Sequence, residues 1–292
     1  MTAIYDCSVD SELLTGMRLA RSAIGRGELV VIPTDTVYGV AADAFDPKAV
    51  SRLLDAKGRD RTSPPPVLIP GIPTLDALAS EVPPAVRQLV GEFWPGGLTV
   101  ILHAQPSLQW DLGETRGTVA LRMPANPIAL ELLAETGPLA VSSANRSGEP
   151  SATVAADAAE MLGDSVSVYL DGGPAGGSYE AIGEREGDTS STIVDATALA
   201  REGGRLRIVR AGVISRERIA AVVGEELLEP EAAPEPEVEA APEAEAEAVA
   251  EAVAEVEPES ALEAEVAADA ASEPATARQA ATPADDGDAA AS

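Results

Sequence analysis

Residues 28–39 read ELVVIPTDTVYG, an apolar run followed by a short polar loop. Residues 28–32 have the pattern of a short buried strand, and Pro33 ends it because proline has no N–H for strand pairing. Upstream, residues 11–25 place apolar side chains at helical spacing and are followed by Gly-Arg-Gly. A helix, a strand and then a polar loop often build a functional site, because the strand fixes where the loop begins.

The same alternation continues through the first 228 residues. Helices are predicted at 11–25, 47–56, 74–79, 84–93, 128–135, 152–162 and 215–223. Strands are predicted at 28–32, 66–69, 98–102, 119–122, 139–142, 166–170, 191–194 and 206–210. The pattern predicts one compact α/β domain over residues 1–228, long enough to bury a substantial core.

The last part of the chain, 229–292, has a different composition. It holds 19 of the 49 acidic residues but only one of the 20 Lys and Arg residues, and it is rich in Ala, Glu, Pro and Val. Without aromatic residues it cannot bury enough apolar area to offset the entropy of ordering its backbone. We therefore predict a disordered acidic tail that either aids solubility or attracts a basic partner.

Composition excludes several classes of protein. No apolar run approaches the roughly 20 residues that cross a bilayer, and the N-terminus is unlike a signal peptide, so we expect a cytoplasmic protein without membrane contact. The single Cys7 excludes an internal disulfide, and the single His103 leaves no Cys/His metal cluster and disfavours a Ser-His-Asp triad. Neither a Walker A loop nor a G-x-G-x-x-G loop is present.

A basic cluster follows the second predicted helix. Lys57, Arg59 and Arg61 alternate along the chain, so in an extended segment they would project from one side. Three such cations repel one another unless an anion lies among them, and a triphosphate suits the planar Arg fork and the compact Lys ammonium. The alternative is a solvated charged loop without a ligand.

Hydroxyl side chains occur at three predicted strand ends. Besides PTDTVYG at 33–39, the chain has SSANRSG at 142–148 and SSTIVD at 190–195. Each segment alone is also typical of a turn or a helix cap. Together with the basic cluster, in one domain, they favour a functional site.

Five motifs follow one another along the domain: PTDTVYG (33–39), KGR (57–59), SSANRSG (142–148), SSTIVD (190–195) and VRAG (209–212). Together they resemble the YrdC/Sua5 family of threonylcarbamoyl-AMP synthases, over about residues 10–215. The resemblance implies an α/β (α+β) fold with an open, twisted, mixed sheet flanked by helices and a deep basic groove.

The resemblance also implies a reaction. A nucleotidyltransferase of this family makes threonylcarbamoyl-AMP and pyrophosphate from L-threonine, bicarbonate and ATP, for the N6-threonylcarbamoyl modification of adenosine 37 in tRNA. Mg²⁺ is implied to arrive with ATP, without a dedicated protein site. The product is implied to pass to the tRNA threonylcarbamoyltransferase complex, and we expect weak or no direct tRNA binding.

Roles for single residues are implied in the same way. Lys57 and Arg59 match a Lys-x-Arg pair with a catalytic, phosphate-holding role. The implied ATP-binding residues are Lys57, Arg59, Arg61, Thr118, Ser143, Asn145 and Arg210. The implied threonine-binding residues are Thr34, Arg122, Ser142 and Ser191.

The sequence departs from the family pattern in two places. The family usually has Asn-Pro-Leu and a strand ending in His after the Lys-x-Arg pair, whereas residues 60–68 read DRTSPPPVL. The missing His and the run of three prolines bear on the threonine contacts. Longer members carry a C-terminal Sua5 domain, but here only the acidic tail follows, as expected of a short form.

Two alternative functions remain open from the sequence. A double-stranded RNA or tRNA-binding module of the same fold would place a nucleic-acid backbone in the basic groove. Against it, the body and tail are acidic and aromatic residues make up only 3% of the chain. The other alternative is a carbamoyl-adenylate enzyme that uses carbamoyl phosphate, although in hydrogenase maturation such domains belong to larger chains.

Overall fold

A single mixed sheet runs through the computed structural model, which describes residues 3–179 and 189–230. Its ten strands are β1 (Ile4–Asp6), β2 (Val30–Ile32), β3 (Gly39–Asp43), β4 (Val67–Leu68), β5 (Leu98–His103), β6 (Thr118–Arg122), β7 (Leu139–Ser143), β8 (Val168–Asp171), β9 (Thr192–Asp195) and β10 (Arg207–Arg210). They are ordered β1-β8-β2-β3-β7-β4-β6-β5-β9-β10, with parallel and antiparallel neighbours. The predicted mixed sheet is therefore confirmed.

Helices cover both faces of this sheet. They are α1 (Asp10–Gly25), α2 (Pro47–Lys57), α3 (Ile72–Leu78), α4 (Pro84–Phe93), α5 (Pro127–Thr136), α6 (Ala155–Leu162) and α7 (Arg216–Val223). Alternation in β2 shows how the two faces divide: Val30 and Ile32 pack with α1 and α5, whereas Val31 packs with α2 and α6. Helices α3, α4 and α7 share a separate core with β4, β5 and β6.

The sequence missed two strands. β3 has the composition Gly-Val-Ala-Ala-Asp, which carries little intrinsic preference for a strand. It forms because β2 and β7 supply hydrogen bonds on both sides. β1 has only three residues and pairs with β8, far away in the sequence. All of the predicted helices and strands are present, with small shifts at their ends.

The basic cluster does not form one extended segment, so that expectation is wrong. Lys57 is the last residue of α2, and Gly58 has a left-handed backbone with φ of 68°. Glycine adopts this conformation without steric cost, and the turn it makes separates Lys57 from Arg59. The three cations therefore do not project from one side of an extended segment.

Three strands position the loop after β2. Ile32 pairs with Gly39, so residues 33–38 connect β2 to its antiparallel neighbour β3. Gly39 in turn pairs with Ser143 at the end of β7. A Cβ atom on Gly39 would lie 2.6 Å from Cγ1 of Val141, which is closer than van der Waals contact allows. The bare backbone of Gly39 thus lets the loop approach β7.

The predicted boundary at residue 228 stays a prediction. Residues 180–188 and 231–292 lie outside the described residues, and the predicted tail over 229–292 falls almost wholly there. Within the described part of the chain, no helix is long and apolar enough to span a membrane.

Candidate active site

A pocket of about 360 Å³, including its open side, lies beside the loop that follows β2. Its lining residues are Thr34, Thr36, Val37, Tyr38, Gly39, Pro66, Leu68, Arg122, Val141, Ser142, Ser143 and Ser191. This set contains the four residues predicted to bind threonine and one, Ser143, predicted to bind ATP. Segments far apart in the sequence thus meet around one concave space that is open on one side.

Arg122 ends β6 and is the positive charge of this pocket, although only 6% of the residue is exposed. Its guanidinium donates from Nη2 to Oδ1 of Asp35 over 2.8 Å, from Nη1 to Oγ1 of Thr36 over 2.9 Å and from Nε to the Gly96 carbonyl over 3.0 Å. A guanidinium has five N–H groups. Two of them remain for a ligand when only the described residues are counted.

Asp35 compensates the charge of Arg122. Its carboxylate also accepts hydrogen bonds from the Ala125 amide and the Tyr179 hydroxyl, both over 2.9 Å. Burial disfavours the charged carboxylate, but Arg122 and these two donors outweigh burial and hold the pKa of Asp35 below its ordinary value. The pair is therefore an ionised, buried salt bridge with no net charge.

Hydroxyl groups occupy the remaining polar positions of the pocket. Oγ1 of Thr34 donates to the Val37 carbonyl over 2.6 Å and lies 3.1 Å from Oγ1 of Thr36. Oγ of Ser191 lies 3.0 Å from Oγ1 of Thr99 on β5. These hydroxyls can both donate and accept, so they suit a small ligand with mixed polar groups.

Lys57 lies behind the end of β7, with only 1% of the residue exposed. Its Nζ donates to the Ser143 carbonyl over 2.7 Å, to the Asn145 carbonyl over 2.6 Å and to Oδ1 of Asn145 over 2.9 Å. Burial, and then the positive charge of Arg59, lower the pKa of Lys57 to about 6. Lys57 has no acidic partner among the described residues.

Arg59 reaches the pocket through a serine. Its Nη1 donates to Oγ of Ser142 and its Nε to Oγ of Ser147, each over 3.1 Å. Ser142 lines the pocket, so Arg59 borders it. Lys57, Arg59, Ser142, Ser143 and Asn145 therefore form one group around the end of β7.

Three other predicted ATP-binding residues are placed differently. Arg210 supports the pocket from behind, because its Nη2 donates to Oγ of Ser191 over 2.9 Å. Thr118 starts β6, about 13 Å along the strand from Arg122, and its hydroxyl donates to the Thr115 carbonyl. Arg61 is exposed and forms a salt bridge of 2.6 Å with Asp111. The structure does not bring Thr118 or Arg61 into the pocket.

Sequence reasoning missed several residues around Arg122. Asp35 and Thr36 lie within PTDTVYG, but the sequence analysis predicts no role for them. A carboxylate in the same predicted site as an arginine indicates a salt bridge and could have identified Asp35. Tyr179 and Thr189 bind the same loop, since Thr189 donates to the Thr36 carbonyl over 2.7 Å. No motif marked these two residues.

Among residues 3–179 and 189–230, no group of three or more His, Cys, Asp or Glu side chains is arranged to bind a metal ion. His103 is the last residue of β5.

Proteins of known sequence include relatives of this chain. A protein of Mycobacterium tuberculosis (strain H37Rv), named putative threonylcarbamoyl-AMP synthase, is 48% identical over 224 residues, which are 77% of this chain and 96% of that protein. The threonylcarbamoyl-AMP synthase of Bacillus subtilis (strain 168) is 38% identical over 207 residues, 70% of this chain and 56% of that protein.

The structure has a matching neighbour as well. The crystal structure of P. abyssi Sua5 complexed with L-threonine matches with a TM-score of 0.65 and 34% identity, over 78% of this chain and 63% of that one. The family model of Sua5, YciO and YrdC, described as "Telomere recombination", matches residues 22–212. That range includes every residue that lines the pocket, from Thr34 to Ser191. Sequence, fold and pocket therefore agree that this chain belongs to the Sua5/YciO/YrdC family.

Proposed function

We propose that this chain is a threonylcarbamoyl-AMP synthase, which forms threonylcarbamoyl-AMP and pyrophosphate from L-threonine, bicarbonate and ATP. The observation that carries the proposal is the pocket itself: Thr34, Arg122, Ser142 and Ser191 come from four separate segments and line one cavity. The sequence resemblance assigned threonine to these four residues. The names of the relatives, and the threonine complex of a neighbour with 34% identity, support the same substrate.

The charge of the pocket suits a zwitterionic amino acid. Arg122 has N–H donors for a carboxylate, but Asp35 already balances its charge. A simple carboxylate would leave one buried negative charge in excess, whereas threonine brings an ammonium as well as a carboxylate. The hydroxyls of Thr34 and Ser191 can bind the remaining polar atoms of threonine.

The proposed reaction needs no protein nucleophile. The threonine ammonium loses a proton to solvent, the amine adds to the carbon of bicarbonate, and loss of water gives a carbamate. One carbamate oxygen then forms a bond to the α-phosphorus of ATP, and the bond to pyrophosphate breaks. The protein's part is to position two anions and offset their charge, with Arg122 at the amino acid and Arg59 at the phosphates.

The other participants are part of the proposal. Mg²⁺ would arrive on the ATP phosphates and supply charge neutralisation there. The product would pass to the tRNA threonylcarbamoyltransferase complex, in the cytoplasm, with little direct tRNA binding by this chain. Nucleotidyl transfer is the reaction class that follows from attack at the α-phosphorus.

Pyrophosphate release from ATP tests the proposal. We expect release only when threonine and bicarbonate are both present, and little release when carbamoyl phosphate replaces them. Release without threonine, or faster release with carbamoyl phosphate, would remove the assignment.

A pair of variants sharpens this test. Arg122→Gln should raise the threonine concentration required by tenfold or more and leave ATP binding to the free enzyme nearly unchanged, because its proposed partner is a carboxylate. Lys48→Met is the matched control, since Lys48 is exposed on α2 and away from the pocket. Equal effects of the two variants would contradict the role given to Arg122.

A further inference from the structure

The amine of Lys57 has more acceptors than it can use. Besides the three bonds of 2.6–2.9 Å to Ser143 and Asn145, Oγ of Ser143 lies 3.3 Å from Nζ. An ammonium has three N–H groups and a neutral amine has two. In either state every N–H of Lys57 is matched by the protein, and only 1% of the residue is exposed. No donor is left over for a phosphate.

Asn145 is equally occupied. Its side-chain oxygen accepts from Lys57, and its Nδ2 donates to the carbonyls of Arg146 over 3.0 Å and Glu149 over 2.6 Å. Its backbone N–H bonds the Ser143 carbonyl over 2.9 Å. Like Lys57, it is 1% exposed. The two residues thus satisfy each other's hydrogen-bonding groups and bind the turn that follows β7.

We propose that Lys57 is a positioning residue that acts, together with Asn145, by holding this turn in place. The inference rests on the proposed function, because the ligand whose phosphates it concerns is ATP. Lys57 does not line the pocket, whereas Ser142 and Ser143 line it and Arg59 borders it at Ser142.

The position of the carbonyls gives the physical reason. Lys57 binds the backbone oxygens of Ser143, the last residue of β7, and of Asn145, two residues further along the chain. Unpaired carbonyl oxygens beside a polyphosphate would repel it and would also lose their hydrogen bonds. By binding these oxygens, Lys57 keeps them turned away from the anion. Lys57 then acts through its hydrogen bonds to the turn and not through a contact with phosphate.

A double-mutant cycle on ATP affinity tests the inference. We expect Lys57→Met and Asn145→Ala each to weaken ATP binding by tenfold or more. Because both changes release the same turn, the ATP affinity of the double variant should be within threefold of that of the single variant that binds ATP less tightly. Lys48→Met, which removes the only other lysine, should stay within twofold of the wild type. Losses that multiply in the double variant would overturn the inference, since Lys57 would then act on the ligand independently of Asn145.

Hydrogen exchange without nucleotide gives a result that does not depend on the proposed function. The amides of Ala144, Asn145 and Ser147 are hydrogen-bonded in this turn. They should lose protection in Lys57→Met and keep it in Lys48→Met, and unchanged protection in Lys57→Met would overturn the inference. A wild type that binds no ATP, but whose Lys57→Met variant loses this protection, would refute the proposed function and leave the positioning role standing.

If Lys57→Met does not fold, wild-type protein labelled with ¹⁵N at the lysine side chains provides the measurement. The chain has two lysines, so two Nζ signals are expected. On saturation with ATP the slowly exchanging signal of Lys57 should keep its position, because its partners do not change. A large shift of that signal, with new coupling to phosphorus, would show a phosphate contact and overturn the inference.

Discussion

Replacing Lys57 with Met should remove part of the pH dependence of the protein's stability. In the folded protein, burial and then the charge of Arg59 lower the pKa of Lys57 from 10.5 to about 6. The unfolded chain keeps the ordinary value. Between these two pKa values the unfolded state therefore binds the extra proton, so the free energy of unfolding rises with pH. The same contribution is lost as the pH falls toward 6.

The size of the effect follows from the pKa difference. Each pH unit within this window changes the free energy of unfolding by about 1.4 kcal/mol when one group is protonated only in the unfolded state. Between pH 7 and pH 9 the contribution of Lys57 is then about 3 kcal/mol, since a folded-state pKa near 6 leaves the amine almost neutral over that range. Methionine has similar length and no titrating group, so the variant lacks this term.

Urea unfolding at pH 7, 8 and 9 measures the effect. The stability of the wild type minus that of Lys57→Met should grow by about 3 kcal/mol from pH 7 to pH 9, whatever the constant difference between the two proteins. All other titrating groups are common to both and cancel. A wild-type advantage that does not change with pH would refute the reasoning, because Lys57 would then be as easily protonated in the folded protein as in the unfolded chain.

Three further outcomes are expected. Asp35→Asn should lower the free energy of unfolding by about 3 kcal/mol in urea, because it leaves Arg122 buried without its carboxylate, and a loss below 1 kcal/mol would speak against a paired, ionised Asp35. Gly39→Ala should weaken threonine binding at least tenfold by calorimetry, since the added methyl lies 2.6 Å from a valine on the pocket wall; an unchanged affinity would contradict this. Arg61→Met should keep ATP affinity within threefold, since its guanidinium is exposed and paired elsewhere. A loss as large as that of Arg59→Met would place Arg61 at the phosphates.

The fold was predictable where the local hydrophobic pattern of a segment matches the faces that the fold buries. The run 28–32 is apolar on both faces because α1 and α5 cover one face of β2, and α2 and α6 cover the other. β3 was not predictable, because its five residues become a strand only through pairing with β2 and β7. Local sequence carries intrinsic preference, whereas such pairing depends on contacts between distant segments.

The site was predictable as a set of residues and not as a set of contacts. The family resemblance placed Thr34, Arg122 and Ser191 together, but the charge balance of the pocket depends on Asp35, which accepts a hydrogen bond from Arg122. The alternation of the basic cluster pointed to an extended segment, and the left-handed Gly58 redirects it. A single glycine thus separates a buried lysine from an arginine that borders the pocket.

The amino-acid end of the site is electrically balanced, and the proposed reaction changes that balance. Arg122 and Asp35 cancel there. Threonine enters as a neutral zwitterion that suits this end. Once its amine becomes a carbamate it carries two negative charges, which the balanced pair does not compensate. Under the proposed function, the new carboxylate is therefore better placed near the guanidinium of Arg59, which borders the pocket at Ser142 and is proposed to lie at the phosphates. Carbamate formation would thus itself favour movement of the new carboxylate toward the α-phosphorus that it attacks.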